Sequence, residues 1–169
     1  MANPTTIIQY PESGADTAHI HWREDQFPFL TSPNGTSVEL NGTLHHIARS
    51  PDADLRNKTW FLSATGYNFH SLPDQINGIR LKLHSQRRGR VTDDTIQLTK
   101  DGKLIGQNRA DLVIDTLKIY GGPGDVWGTK LTPADLMDPT FGVVVRLQAH
   151  PQWPHNDGAF VGAVEMFIY

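Results

Sequence analysis

Apolar and polar positions along this chain alternate in short runs. In Ile79-Arg80-Leu81-Lys82-Leu83-His84-Ser85, Ile79, Leu81 and Leu83 fall on one side and the polar residues on the other. A period of two over four to eight residues predicts a strand with one buried face. Thr95-Ile96-Gln97-Leu98-Thr99 repeats the pattern, and Lys100-Asp101-Gly102-Lys103 separates it from Leu104-Ile105-Gly106. An Asp-Gly pair between two alternating runs predicts a tight hairpin, because both central residues of its turn need positive φ. Further strands are predicted at His19–Trp22, Ser37–Leu40, Leu44–Ile47, Thr59–Ala64, Leu117–Tyr120, Phe141–Ala149 and Phe160–Tyr169. Only Leu131–Pro139 reads as helix. Thr132 suits the N-cap, Pro133 suits the first helical position, and Pro139 stops the helix within two turns.

Many short strands, turn residues between them and one helical turn predict an all-β fold, an antiparallel β-sandwich of jelly-roll type. Alternation implies that each sheet buries one side only. Residues 1–16 hold few apolar side chains and read as an N-terminal arm or edge segment. Residues 17–169 read as a single domain, with the last strand reaching the final residue.

Composition agrees with this picture and narrows the function. Fifteen glycines and 11 prolines in 169 residues supply the turns. A net charge of −3 gives no general means of neutralising phosphates, so nucleic acid is not an expected partner. The absence of cysteine excludes disulfides, thiolate metal sites and a cysteine nucleophile. The first residues lack the basic and apolar regions of a secretory signal, and no apolar run is long enough for a spanning helix. No membrane association is expected. Asn34-Gly35-Thr36, Asn41-Gly42-Thr43 and Asn57-Lys58-Thr59 match the glycosylation pattern but read as products of a turn-rich composition.

Candidate chemistry is sparse. His19 and His21 share a strand face, and His45 or an Asp would be a third ligand, but the pattern reads better as ordinary sheet residues; no metal or other cofactor is expected. The acids Asp93, Asp94, Asp111, Asp115 and Glu165 follow no catalytic spacing, and Asp93 and Asp94 diverge on a strand. No catalytic residue is assigned. The Gly121-Gly122-Pro123-Gly124 run lacks the lysine and helix of a phosphate loop and reads as a tight turn. Candidate ligand or partner contacts are Trp22 and Trp153, with His150 and His155 flanking the latter, and the basic run Arg87, Arg88 and Arg90. A solvated loop is the commoner fate of such a basic run.

From Trp60 onward the chain resembles a group of tailed-bacteriophage virion and tail-associated proteins. The likeness is carried by Trp60–Phe69, Leu72-Pro73, Ile76–Ile79, Arg87-Arg88, Val91–Asp93, Ile96–Leu98 and Lys103–Gly106. It continues through Asn108–Asp111, Tyr120–Gly128, Leu131–Leu136, Phe141–Val143 and Ala163–Tyr169. The Tyr-Gly-Gly-Pro…Trp-Gly element is its most specific part. The resemblance implies a non-enzymatic structural component of a phage particle, on the tail, neck or capsid surface. Such a protein is made in the host cytoplasm and carried in the virion, with other virion proteins and itself as partners. Its alternative is an adhesin module binding a host-surface glycan, with Trp22, Trp127 or Trp153 as stacking surfaces. The first sixty residues lie outside the likeness.

Overall fold

The computed structural model describes residues 5–9, 38–39, 61–67, 69, 72–88, 91–113, 117–149 and 158–169. The expected strands His19–Trp22 and Leu44–Ile47 lie outside them. The described residues form antiparallel β-structure with one short helix. In chain order the elements are β1 (Thr5–Gln9), β2 (Val38–Glu39), β3 (Phe61–Thr65), β4 (Ile79–Arg88), β5 (Val91–Lys100), β6 (Lys103–Ile105), β7 (Leu117–Gly122), α1 (Pro133–Met137), β8 (Gly142–Ala149) and β9 (Gly158–Ile168). One sheet has five strands in the order β1-β3-β8-β5-β6; the other has four, β2-β9-β4-β7. Both sheets contribute to one buried cluster, with Leu62, Ile96, Val143 and Val145 from the first and Leu81, Leu83, Val164 and Met166 from the second.

The start of the chain is tied in. Thr5–Gln9 pairs antiparallel with Phe61–Thr65 in unbroken register and forms the edge of the five-stranded sheet. The Asp-Gly hairpin forms between β5 and β6, with Asp101 at φ 52° and Gly102 at φ 71°, as a turn matching the twist of its strands requires.

The helix begins as its residues dictate. Thr132 accepts from the Asp135 N–H while the Asp135 carboxylate accepts from the Thr132 N–H, a reciprocal capping box. Asp135 also takes the Lys100 ammonium at 2.6 Å, tying α1 to the end of β5. That bond first, and the Thr132 bonds second, pull the Asp135 carboxyl from 3.8 to about 2. A depressed folded value stabilises the fold above the unfolded value and is lost as pH falls through the folded one. Thermal melts should therefore show the midpoint dropping between about pH 4 and pH 2, and Asp135→Asn should remove part of that drop. An unchanged acid profile in the variant would refute this linkage.

The expectation of one buried face per sheet holds for the four-stranded sheet and fails for the five-stranded one. In β4 the buried positions alternate, whereas in β8 every residue from Gly142 to Leu147 is buried. Ser63, Thr65, Val144 and Arg146, which face away from the shared cluster, are buried as well. The continuous run Val143-Val144-Val145 is the sequence counterpart of a strand covered on both sides.

Candidate functional site: a buried ion cluster between the sheets

Two register shifts decide where side chains point. In β5, Asp93 faces Leu147 and Thr95 faces Arg146, so Asp94 is an extra residue. In β9, Val164 faces Leu83 and Val161 faces Ser85, so Gly162-Ala163 oppose His84 alone. A bulge lets two residues three apart face the same side and re-aims the side chain beside it. The β5 bulge turns Asp93 inward together with Ile96. Asp94 takes part in an ion pair with Arg146 at 3.6 Å instead.

Asp93, on the five-stranded sheet, is fully buried and gathers partners from the four-stranded one. Its Oδ1 accepts from Arg87 of β4 at 2.7 Å. Its Oδ2 accepts from Lys118 at 2.6 Å and Tyr120 at 2.8 Å, both of β7, and from the Asp111 N–H at 3.3 Å. Lys118, whose side chain is 4% exposed, donates also to the Asp111 carboxylate and to the Val113 carbonyl at 2.9 Å. Arg87 reaches Ser85 Oγ and the Val91 carbonyl as well. The Tyr120 hydroxyl is pushed far up, first by burial and then by the charge of Asp93, and stays a donor. Burial would raise the Asp111 carboxyl, but the Lys118 and Val113 hydrogen bonds and the Lys118 and Arg87 charges outweigh it and hold it low. Two cations and two anions are thus balanced, and the donors of Lys118 are saturated. Such an arrangement suits a clamp between sheets better than proton transfer.

A loop closes the same side. The Asn108 side chain accepts from the Ile96 N–H at 2.9 Å and donates to the Asp94 carbonyl at 2.9 Å, so an amide stands in for a neighbouring strand along β5. Arg109 binds Asp125 at 2.5 Å, and the same Asp125 oxygen accepts from the Trp127 N–H. Trp127 is wholly buried, adopts φ 57°, and donates through Nε1 to the Ile79 carbonyl at 2.9 Å. Gly121 sits beneath it at φ 69°, and a Cβ there would lie 2.2 Å from the Ile79 carbonyl oxygen and 2.6 Å from the indole nitrogen. Gly122, next to Gly121, does not have positive φ.

Arg87 does not belong to a solvated loop: β4 continues through Arg88, and the Arg87 guanidinium is enclosed and bound to Asp93. Asp93, a buried carboxylate six residues along the chain, offsets the hydration that the guanidinium loses on enclosure. The Arg88 backbone pairs with Gly158. Arg90, Trp22, Trp153, His19, His21, His45, His150, His155 and Asp115 lie outside the described residues. Trp127 is enclosed, which removes it as a sugar-stacking surface. Asp93 and Asp111 meet at Lys118, while Glu165 pairs with Lys82 and His84 elsewhere. Among the described residues, no group of three or more His, Asp and Glu is placed to hold a metal ion, and no helix is long and apolar enough to cross a membrane.

Sequence reasoning missed Lys118 and Tyr120 as the buried partners of Asp93. The signal for them was the odd alternation of Leu117-Lys118-Ile119-Tyr120, which leaves the choice of buried face open.

No protein-family model, curated protein or solved structure matches the chain.

Proposed function

We propose that this chain is a structural component of a tailed-phage virion, working through protein–protein assembly and not through catalysis. The support is the set of residues that carries the likeness to phage particle proteins, read together with what they do in the fold. Asn108, Arg109, Asp111, Tyr120, Gly121, Asp125 and Trp127 all hold the two sheets and their closing loop together. A shared element made of fold-keeping residues fits a family defined by a scaffold. On this reading the two sheets form a sandwich of jelly-roll type, located on the tail, neck or capsid surface. The specificity of docking sits in the first sixty residues, outside the likeness. A glycan-binding role would fall to Trp22 or Trp153, since Trp127 is enclosed.

The test is proteomic and structural. Mass spectrometry of purified particles from cells that make this chain should find it at a fixed ratio to the other virion proteins, and a cryo-EM map should place it at symmetric positions. Its absence from particles would sink the proposal.

A further inference from the structure

The five-stranded sheet is enclosed on a face that has no described neighbour. In the register of β3 and β8, Leu62 stands opposite Val145 and Ala64 opposite Val143, and all four join the cluster shared with the other sheet. Successive strand residues point to opposite faces, so Ser63, Thr65, Val144 and Arg146 lie on the outer face. They are 0%, 3%, 0% and 8% exposed. Arg146 lies over the Phe61 ring, 4.7 Å from its centroid, and pairs with Asp94. The Ser63 hydroxyl is enclosed and has no hydrogen-bond partner among the described residues. An open sheet face would leave such a hydroxyl to water.

The described connections are tied elsewhere. Tyr67, just past β3, donates to the Val164 carbonyl on the inner side. Asn77 and Gly78 bind Tyr169, while Asp125 and Trp127 bind Ile79, all at the four-stranded sheet. Asn108 and Arg109 run along β5, and Lys100 holds α1 at the end of that strand. A single chain encloses the outer face with no second copy or partner present, so the cover belongs to the chain itself.

Strand order says which part can reach it. Asp93 of β5 binds β4 and β7, so the orders β1-β3-β8-β5-β6 and β2-β9-β4-β7 run the same way, and β1 and β2 stand on one flank. Stacked sheets lie about 10 Å apart, a gap that about three or four extended residues span. Residues 10–37 join β1 to β2 and are far longer than this crossing needs. They leave β1 at Gln9, which stands opposite Phe61, beside the outer face. They also carry the apolar side chains a cover needs: Tyr10, Ile20, Trp22, Phe27, Phe29 and Leu30. The other long connection, 40–60, holds the charged run Asp52, Asp54, Arg56 and Lys58, which is unsuited to lying on Val144. We propose that residues 10–37 fold back over the outer face of β3 and β8 as a third layer, seated on Ser63, Thr65 and Val144. The inference deepens the assembly reading and rests on it for its purpose: the surface offered to other virion proteins is then this layer and not the sheet beneath.

The chain has no cysteine, so Ser63→Cys gives a single thiol on the proposed seat and Ile119→Cys a single exposed one. In the full chain the Ser63→Cys thiol should resist a thiol reagent that titrates Ile119→Cys at once. Replacing Trp22, Phe27, Phe29 and Leu30 by serine in the Ser63→Cys chain should speed its reaction about tenfold or more, because the cover loses its apolar hold. A photoreactive benzoylphenylalanine at position 61 keeps an aromatic ring beside Arg146. On irradiation it should label residues between 18 and 37 of its own chain, which runs as a monomer on a denaturing gel; this readout stands even where the serine variant unfolds. A Ser63→Cys thiol as reactive as that of Ile119→Cys, or a folded serine variant with an unchanged rate, would overturn the proposal. So would labelling that is absent, or that falls on 40–60, on 150–157 or on a second copy. A chain found in particles whose label falls elsewhere defeats this seating alone. A label between 18 and 37 in a chain absent from particles defeats the virion reading alone.

Discussion

Replacing Asp93 with alanine is expected to cost about 3–5 kcal/mol, because it leaves Arg87 and Lys118 as enclosed cations without their shared anion. The fully buried Asp93 side chain extends from one sheet and binds cations of the other, so the loss opens the joint between them. Asp111 also binds Lys118, yet its side chain is 47% exposed, and water can replace it. Asp111→Ala should cost on the order of 1 kcal/mol or less. Urea unfolding at neutral pH gives both numbers, with the slope serving as a check on two-state behaviour. The contrast carries the argument: similar costs for the two variants would show that the cluster is not organised around Asp93. A further variant separates ionic need from packing. Arg87→Met, Asp93→Leu and Lys118→Met together remove all the enclosed charge, and should destabilise less than Asp93→Ala alone.

The second large effect is expected at Trp127. Trp127→Ala should cost about 3–5 kcal/mol through the cavity it opens, and the Ile79 carbonyl also loses its indole donor. Trp127→Phe keeps most of the volume and loses the donor, so it should cost about 1–3 kcal/mol. Gly121→Ala probes the same contact from below. Its methyl would meet the Ile79 carbonyl oxygen and the indole at once, at a left-handed backbone position. That variant should be destabilised to a degree comparable with Trp127→Ala, whereas Gly124→Ala, which has open space around its Cβ, should not. Thermal melts of the four proteins decide the matter. A harmless Gly121→Ala would mean that the turn can shift without disturbing the tryptophan.

Much of the architecture was legible because it is written locally. Ile79, Leu81 and Leu83 announce their shared face, Asp101-Gly102 announces its hairpin, and Thr132-Pro133 announces the helix start. What escaped is non-local. Arg87 and Asp93 are close in the chain but lie on strands of different sheets, and Lys118 comes 25 residues after Asp93, so alternation along one strand does not show that they meet. The bulge at Asp94 is equally hidden, yet it is what turns Asp93 inward. The double burial of β8 left a trace in the run Val143-Val144-Val145, which alternation in the neighbouring segments outweighed. At β7 the alternation was visible but its sense was not. Hydrophobicity alone would bury Leu117 and Ile119; the bonds to Asp93 bury Lys118 and Tyr120.

The pairing pattern also bears on how the chain reaches this state. Among the described strands, only β5 and β6 pair with their neighbour in sequence. Thr5 pairs with Thr65, Leu62 with Val145, Ile79 with Gly122, and Ile79 with Ile168. Each of those contacts must close a long loop before it returns any stabilisation. Proteins dominated by such distant pairings fold in about milliseconds to seconds, not microseconds. The β5–β6 hairpin is the one piece that can form early, and β8 must then find β5 across the turn, loop and helix between them. The four-stranded sheet closes only when β9, the last strand, has arrived to lie between β2 and β4.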